Sequence, residues 1–287
     1  MADEAAIRNV SDTALWVAVY RAQESERKDA LFYDPYARQL AGERGAEIER
    51  QIGMPGWPIV VRTQVLDEQI LKAVEEEGFD AVLNLAAGLD TRPYRLALPA
   101  TLRWVEVDLP GMIEYKRIAL KDAKCFCRLE RHALDLADGE ARRALFTKLG
   151  AAANKVLVLT EGLLIYLDVE DVKSLAKDLR QPPAFKRWLM DLSSPALLEF
   201  LARRHGSNML KNENVSFKFA PEEGQEFFRP LGWAPAGFLS IADEARRLKR
   251  FDIPLAFKII GTLQALIFSG ARERMRRFNG IAVFERS

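Results

Sequence analysis

The chain has very few of the residues that carry chemistry by themselves: two cysteines and two histidines in 287 residues. Two thiols cannot staple a fold of this size. Staples are not needed either, because a chain this long buries about three quarters of its unfolded surface. Cys125 and Cys127 form a C-x-C on a strand-like stretch. Strand alternation puts both on one face, where neighbouring residues rarely meet disulfide geometry, so they read as buried free thiols of a reducing cytoplasm. A metal centre needs more ligands than these and His132 and His205 supply, so no metal is expected. Glycine and proline number 17 and 13, which excludes collagen-like and low-complexity readings. Excess charge is missing too. Lys plus Arg is 42 and Asp plus Glu is 41, which speaks against a nucleic-acid binder driven by charge over the whole chain. The opening residues MADEAAIRNVSD have no apolar signal-peptide core. Residues 253–269 are largely apolar, but 17 positions interrupted by Lys258 and Gln264 are too short for a membrane span and read as a core or lid segment.

What is present is ordinary globular composition, 49% hydrophobic and 29% charged. The charge is uneven. Residues 1–80 hold 16 acids and 9 bases, and residues 243–287 hold 10 bases and 5 acids. The basic run from Ala271 to Arg277 reads as a phosphate-binding patch or as a solvated helix face that pairs with the acidic N-terminal part.

Residues 1–60 carry helical signals and no strand. Ser11 and Asp12 read as N-cap residues, Asp34-Pro35 opens another helix, and Gly53, Pro55, Gly56 and Pro58 break the pattern. Val61, Val65, Leu66, Ile70, Leu71 and Val74 recur at helical spacing. The rhythm then changes. Residues 80–88, 103–110, 125–134, 155–162 and 185–192 read as strands, several of them continuous apolar runs of the buried parallel kind. Asp168 caps an intervening helix, and residues 231–240 and 280–286 supply two late strands. This order predicts an α/β fold: a doubly wound, mainly parallel, seven-stranded sheet with an N-terminal helical extension. Length alone allows two domains. The strand order argues for one over residues 1–287, comprising a helical cap (1–77), a ligand-binding core (78–192), and a substrate-side insertion with the last strands (193–287).

Ligands of such sheets sit at the carboxyl ends of the strands, where strand order reverses. Each of the first four strand ends carries an acid: Asp90 in the loop after Gly88, then Asp108, Asp135 and Glu161. Asp108 follows Gly88 by 20 residues, the spacing at which nucleotide-binding units place a carboxylate on ribose hydroxyls. The loop over residues 86–91, A-A-G-L-D-T, is not a phosphate-binding G-x-G-x-x-G, and Asp90 would repel a pyrophosphate. An adenosine without phosphate and with a cationic end fits better, as in S-adenosyl-L-methionine. Taken singly, the loop also reads as a plain strand-to-helix turn capped by Asp90.

Four stretches carry a more specific signal: V-R-T at 61–63, N-L-A-A-G-L-D-T-R-P-Y-R-L at 84–96, V-E-V-D-L-P at 105–110, and T-E-G-L-L-I-Y-L at 160–167. With the helical stretch 20–37, they resemble the leucine carboxyl methyltransferase family over residues 10–180, including its bacterial S-adenosylmethionine-dependent O-methyltransferases, some linked to polyketide biosynthesis. The resemblance implies a Rossmann-like class I methyltransferase fold. It implies that Arg62 pairs with the cofactor carboxylate, that Ala86, Gly88 and Asp90 form the loop under its methionine part, and that Asp108 with Leu109 holds the ribose. Asp135 and Leu136 then lie beside the adenine, and Glu161 near the amino group. Family members often have glycine where Ala86 stands, and alanine is expected here with an ordinary φ.

Methyl transfer from a sulfonium mainly needs positioning and exclusion of water. A carboxylate acceptor is already ionised, whereas a phenol gains from a base. His132 reads as a strand or rim residue and His205 as a surface helix end. Tyr166 either faces the acceptor or packs under the sheet edge. Arg92 either holds an anionic acceptor or forms a surface salt bridge. The expected acceptor is a carboxylate or hydroxyl of a small molecule, or a C-terminal carboxylate, with neither nucleic acid nor membrane as partner. The alternatives are a catalytically silent cofactor-binding protein and, further off, a nicotinamide-dependent oxidoreductase.

Overall fold

A computed structural model describes residues 10–204, 217–250, 276 and 278–287. His205, the apolar stretch 253–269 and nearly all of the basic run 271–277 lie outside the described residues; of that run, Arg276 pairs with Asp243. Three helices come first: α1 (Val10–Ser25), α2 (Ala37–Ile52) and α3 (Trp57–Glu75). Strands and helices then alternate through β1 (Ala81–Leu85), α4 (Arg92–Arg95), β2 (Arg103–Asp108), α5 (Pro110–Ala119), β3 (Arg128–Ala133) and α6 (Gly139–Ala151). They continue through β4 (Val156–Thr160), α7 (Val169–Arg180), β5 (Phe185–Ser193), α8 (Pro195–Arg204), β6 (Trp233–Ser240), α9 (Ile241–Arg247) and β7 (Asn279–Arg286).

The strands form one seven-stranded sheet in the order β3-β2-β1-β4-β5-β7-β6. β1 to β5 pair in parallel, and β7 lies antiparallel between β5 and β6. The chain winds outward from β1 to β3, then crosses back to β4, so the order reverses between β1 and β4. That is where a crevice opens at the carboxyl ends.

Side-chain alternation explains why the central strands read as unbroken apolar runs. Leu83, Leu85, Val105, Val107, Val156 and Val158 enter one core with α6 and α7. Val82, Trp104, Leu157 and Leu159 enter the other, with α3 and α9. Both faces are covered, so both sets of positions are apolar. Truncating one such leucine to alanine costs about 2–5 kcal/mol.

The N-terminal helices are tied to the strand ends. Arg21 donates from Nε to Asp34 and from Nη2 to the Leu89 carbonyl at 2.6 Å. Tyr20 Oη donates to the Met54 carbonyl at 2.6 Å. A Cβ on Gly56 would come within 2.3 Å of the Tyr20 ring, so only glycine lets the 53–58 loop lie this close. Two caps differ from expectation. Ser11 and Asp12 lie inside α1, because the helix already runs from Val10; Asp12 pairs with Arg44 at 3.3 Å. Asp168 stands at the start of α7 but makes no side-chain cap bond, and its carboxylate pairs with Lys218 at 2.9 Å. No helix among the described residues is long and apolar enough to cross a membrane.

Candidate functional site

One cavity of about 600 Å³ lies at the carboxyl ends of β1, β2, β4 and β5 and is lined by every residue expected at the site from sequence. It begins where the chain leaves β1. The turn is tight: Ala87 N–H donates to the Val107 carbonyl at 3.2 Å, and Asp90 N–H to the Ala87 carbonyl at 3.0 Å. Ala86 takes φ 52 in this turn, which corrects the expectation of an ordinary φ. The left-handed region costs a non-glycine residue about 1–2 kcal/mol, and the surrounding bonds hold it there. Gly88 follows at φ 46, where a Cβ would also meet the Ala14 Cβ at 3.4 Å.

Asp108 closes the loop from β2. Its Oδ2 accepts from Gly88 N–H at 2.6 Å and its Oδ1 from Leu109 N–H at 2.7 Å. Burial pushes its carboxyl up, and those two donors work against the rise. A carboxylate has about four acceptor positions, so two remain for vicinal hydroxyls. Leu109 is exposed beside it. Beyond β3, Asp135 is exposed and accepts from Ala137 N–H at 2.9 Å, while the Leu136 side chain packs on the core under α6 and α7.

The pole below β1 and β4 is an ion-pair network. Arg92 donates to Asp67, Asp90 and Glu161 at 2.6, 2.8 and 2.8 Å. Its side chain is 2% exposed, which corrects the surface salt-bridge reading and leaves it committed to three carboxylates. Asp90 also accepts from Asn84 Nδ2 at 2.8 Å. Burial alone would lift the Asp90 carboxyl, but the Arg92 guanidinium and Lys116 hold it down at about 2. Arg62, on α3, donates from Nε to Glu161 and from Nη1 to Asp191, both at 2.9 Å. Burial would lower its pKa, and the two carboxylates raise it. Glu161 is held below the usual range, Arg92 and Arg62 outweighing its burial.

Tyr166 sits in a single 3-10 turn after β4 (Leu164–Tyr166). It lines the cavity, its ring lies 5.5 Å from that of Phe217, and it packs with Trp16 and Met54 on Ile48 and Ile52. Burial pushes its phenol up, so it is a proton donor near neutral pH. His132 lies on β3, 3.7 Å from Glu130, and does not line the cavity.

Among the lining residues that escaped the sequence reading are Asp191 and Arg142. Asp191 lies near the carboxyl end of β5, where it accepts from Gly162 N–H at 2.7 Å and from Arg62; the strand-end rule, carried one strand further, finds it. Arg142, on α6, donates to the Leu136 carbonyl at 2.6 Å and to Asp178 at 2.9 Å, bracing the turn after β3. A helix arginine carries no such signal in sequence. Cys125 and Cys127 are free and half-buried just before β3, with sulfurs 3.6 Å apart. No group of three or more metal-ligating side chains occurs among the described residues.

The donor set suits S-adenosyl-L-methionine: acceptor lone pairs at Asp108 for hydroxyls, a carboxylate at Glu161 for an ammonium, and Arg62 for a carboxylate. Arg62 Nη2 has no hydrogen bond among the described residues.

A Streptomyces coelicolor protein assigned as an S-adenosyl-L-methionine-dependent methyltransferase is 34% identical over 207 residues, 66% of this chain and 71% of its own. One from Mycobacterium sp. is 29% identical over 269 residues, 84% of this chain and 88% of its own. Two crystal structures share the fold. A DUF574 family protein of Streptomyces avermitilis has a TM-score of 0.57 at 15% identity, covering 94% of this chain and 97% of its own. A protein of Thermobifida fusca, assigned as a methyltransferase, has a TM-score of 0.55 at 18% identity, covering 88% and 93%. The leucine carboxyl methyltransferase family model matches residues 14–180, and the chain belongs to that family.

Proposed function

We propose that this methyltransferase, with S-adenosyl-L-methionine as donor, passes the methyl group to a carboxylate or hydroxyl oxygen of a small molecule. The observation that carries the reading is one cavity running from Asp108 through Glu161 to Tyr166. Arg62 would hold the donor's carboxylate, Glu161 its ammonium, Asp108 its ribose, and Asp135 with Leu136 its adenine, over the Ala86–Gly88 turn. Asp90 supports this by fixing the loop through Asn84 and Arg92. The bound donor supplies an already activated methyl group: the acceptor oxygen provides the electron pair of the new O–CH3 bond and the C–S pair returns to sulfur.

The protein's share is alignment and dryness. Tyr166 keeps its proton, Asp90 and Glu161 are held ionised by arginines, and no histidine lines the cavity among the described residues. None of these is poised as a base, which favours an acceptor that arrives ionised or is readily ionised. In this reading residues 1–77 cap the site, 78–192 carry the cofactor, and 193–287 complete the acceptor side. The two free thiols suit a reducing cytoplasm.

A nicotinamide cofactor fits poorly, because the ionised Asp90 stands where its pyrophosphate would go. Calorimetry with S-adenosylmethionine, S-adenosylhomocysteine and NAD should give binding of the first two alone. A labelled-methyl assay over carboxylates and phenols should then give a methylated product. Cofactor binding with no turnover on any acceptor would favour a silent binding protein.

A further inference from the structure

The cavity has two chemically different ends. Over β1, β2 and β3 it is lined by the acids Asp90, Asp108 and Asp135 together with Leu109, Met112, Leu134 and Leu136. Over β4, β5 and β7 its walls come from elements far apart in sequence: Trp16 of α1, Met54 and Ile59 around the start of α3, Tyr166, Leu197 of α8, and Phe217. Trp16, Met54 and Tyr166 share one apolar cluster. Among the described residues, the polar side chains here include Ser193 and Asn279, with the Arg62, Glu161 and Asp191 group on the boundary.

Among the described residues, each cationic side chain that lines the cavity already has a carboxylate. Arg21 holds Asp34, Arg62 holds Glu161 and Asp191, Arg92 holds three acids, Arg95 holds Asp67, and Arg142 holds Asp178. No lysine lines the cavity among the described residues. Turning one of these arginines toward a phosphate would strand a buried carboxylate. An apolar, aromatic-walled chamber favours flat or aliphatic bodies instead.

Resting on the methyltransferase reading, we propose that the acceptor is an apolar, aromatic or aliphatic-bodied molecule without phosphate or other strong anion on that body. It seats against Trp16, Met54 and Tyr166.

The test uses the full chain saturated with S-adenosylhomocysteine and titrated by calorimetry with 2-naphthol and, separately, 2-naphthyl phosphate. The naphthol should bind at least about tenfold more tightly than its phosphate, the cost of an anion where each described lining cation is already paired. Trp16→Ala and Met54→Ala should each weaken the naphthol by about tenfold, as removal of a buried anchor does. S-adenosylhomocysteine affinity within about twofold of the parent's reports that each variant is folded. The inference is overturned if the phosphate binds as well as the naphthol, if both folded variants bind the naphthol like the parent, or if the nucleoside binds and neither probe does. Failure of the nucleoside to bind the parent chain would instead overturn the methyltransferase reading, and this inference with it. The comparison of the two probes needs no variant and stands if both variants fail to fold.

Discussion

The two ends of the cavity differ in how they are built. The end over β1, β2 and β3 is local: Gly88 and Asp108 come from adjacent strands and lock each other through a 2.6 Å bond. The end over β4, β5 and β7 is assembled from α1, the 53–59 loop, the turn at Tyr166, α8 and Phe217. Between them stands the network of Arg62, Arg92, Asp90, Glu161 and Asp191, which belongs to both. A cofactor common to a family can be held by short motifs on neighbouring strands. An acceptor is held by whatever the surrounding helices bring, so that end can change without disturbing the other.

The largest expected effect breaks the shared network. Arg92→Ala leaves Asp90 without its ion-pair partner and takes one of two arginines from Asp67 and Glu161, which keep Arg95 and Arg62, and should cost about 3–5 kcal/mol of stability in urea unfolding. An unchanged midpoint and slope would mean that the two ends do not depend on a common support. Arg62→Ala should weaken S-adenosylhomocysteine by about 2 kcal/mol, roughly thirtyfold, through a lost charged hydrogen bond; unchanged affinity would remove Arg62 from the cofactor end.

Acid should act on the same network. The Asp90 carboxyl falls from 3.8 in its ordinary state to about 2 in the fold. A depressed carboxyl contributes stability that is complete above the unfolded value and is lost as pH falls through the folded one. About 2 kcal/mol should therefore disappear between about pH 4 and pH 2. Asp90→Asn should flatten that slope in a pH series of unfolding curves, and an equally steep slope would assign the acid sensitivity elsewhere. The smallest effect is local to the cofactor end. Ala86→Gly relieves the φ of 52 but loosens the unfolded chain, for a net gain of about 0.5–1 kcal/mol. A loss of stability would show that the methyl group packs usefully there.

The proposed cofactor end was readable as a strand-end site because strand, glycine and acid follow one another at fixed spacing, as in Gly88 and Asp108. The sheet was readable because apolar runs such as 81–85 and 156–160 are buried on both faces. What escaped depends on partners distant in sequence. Arg92 reads as a surface residue until Asp67, 25 positions earlier on another helix, comes beside it. The left-handed Ala86 is set by bonds to β2. Trp16, Met54 and Phe217 look like any core residues, and only the fold turns them toward a cavity.

The most direct test of the account is a calorimetric titration of S-adenosylhomocysteine into the parent chain and into Asp108→Ala. The account predicts one-to-one binding to the parent and binding about thirtyfold weaker in the variant, which still unfolds cooperatively. No binding to the parent at millimolar concentration, or equal affinity in a folded Asp108→Ala, would contradict it.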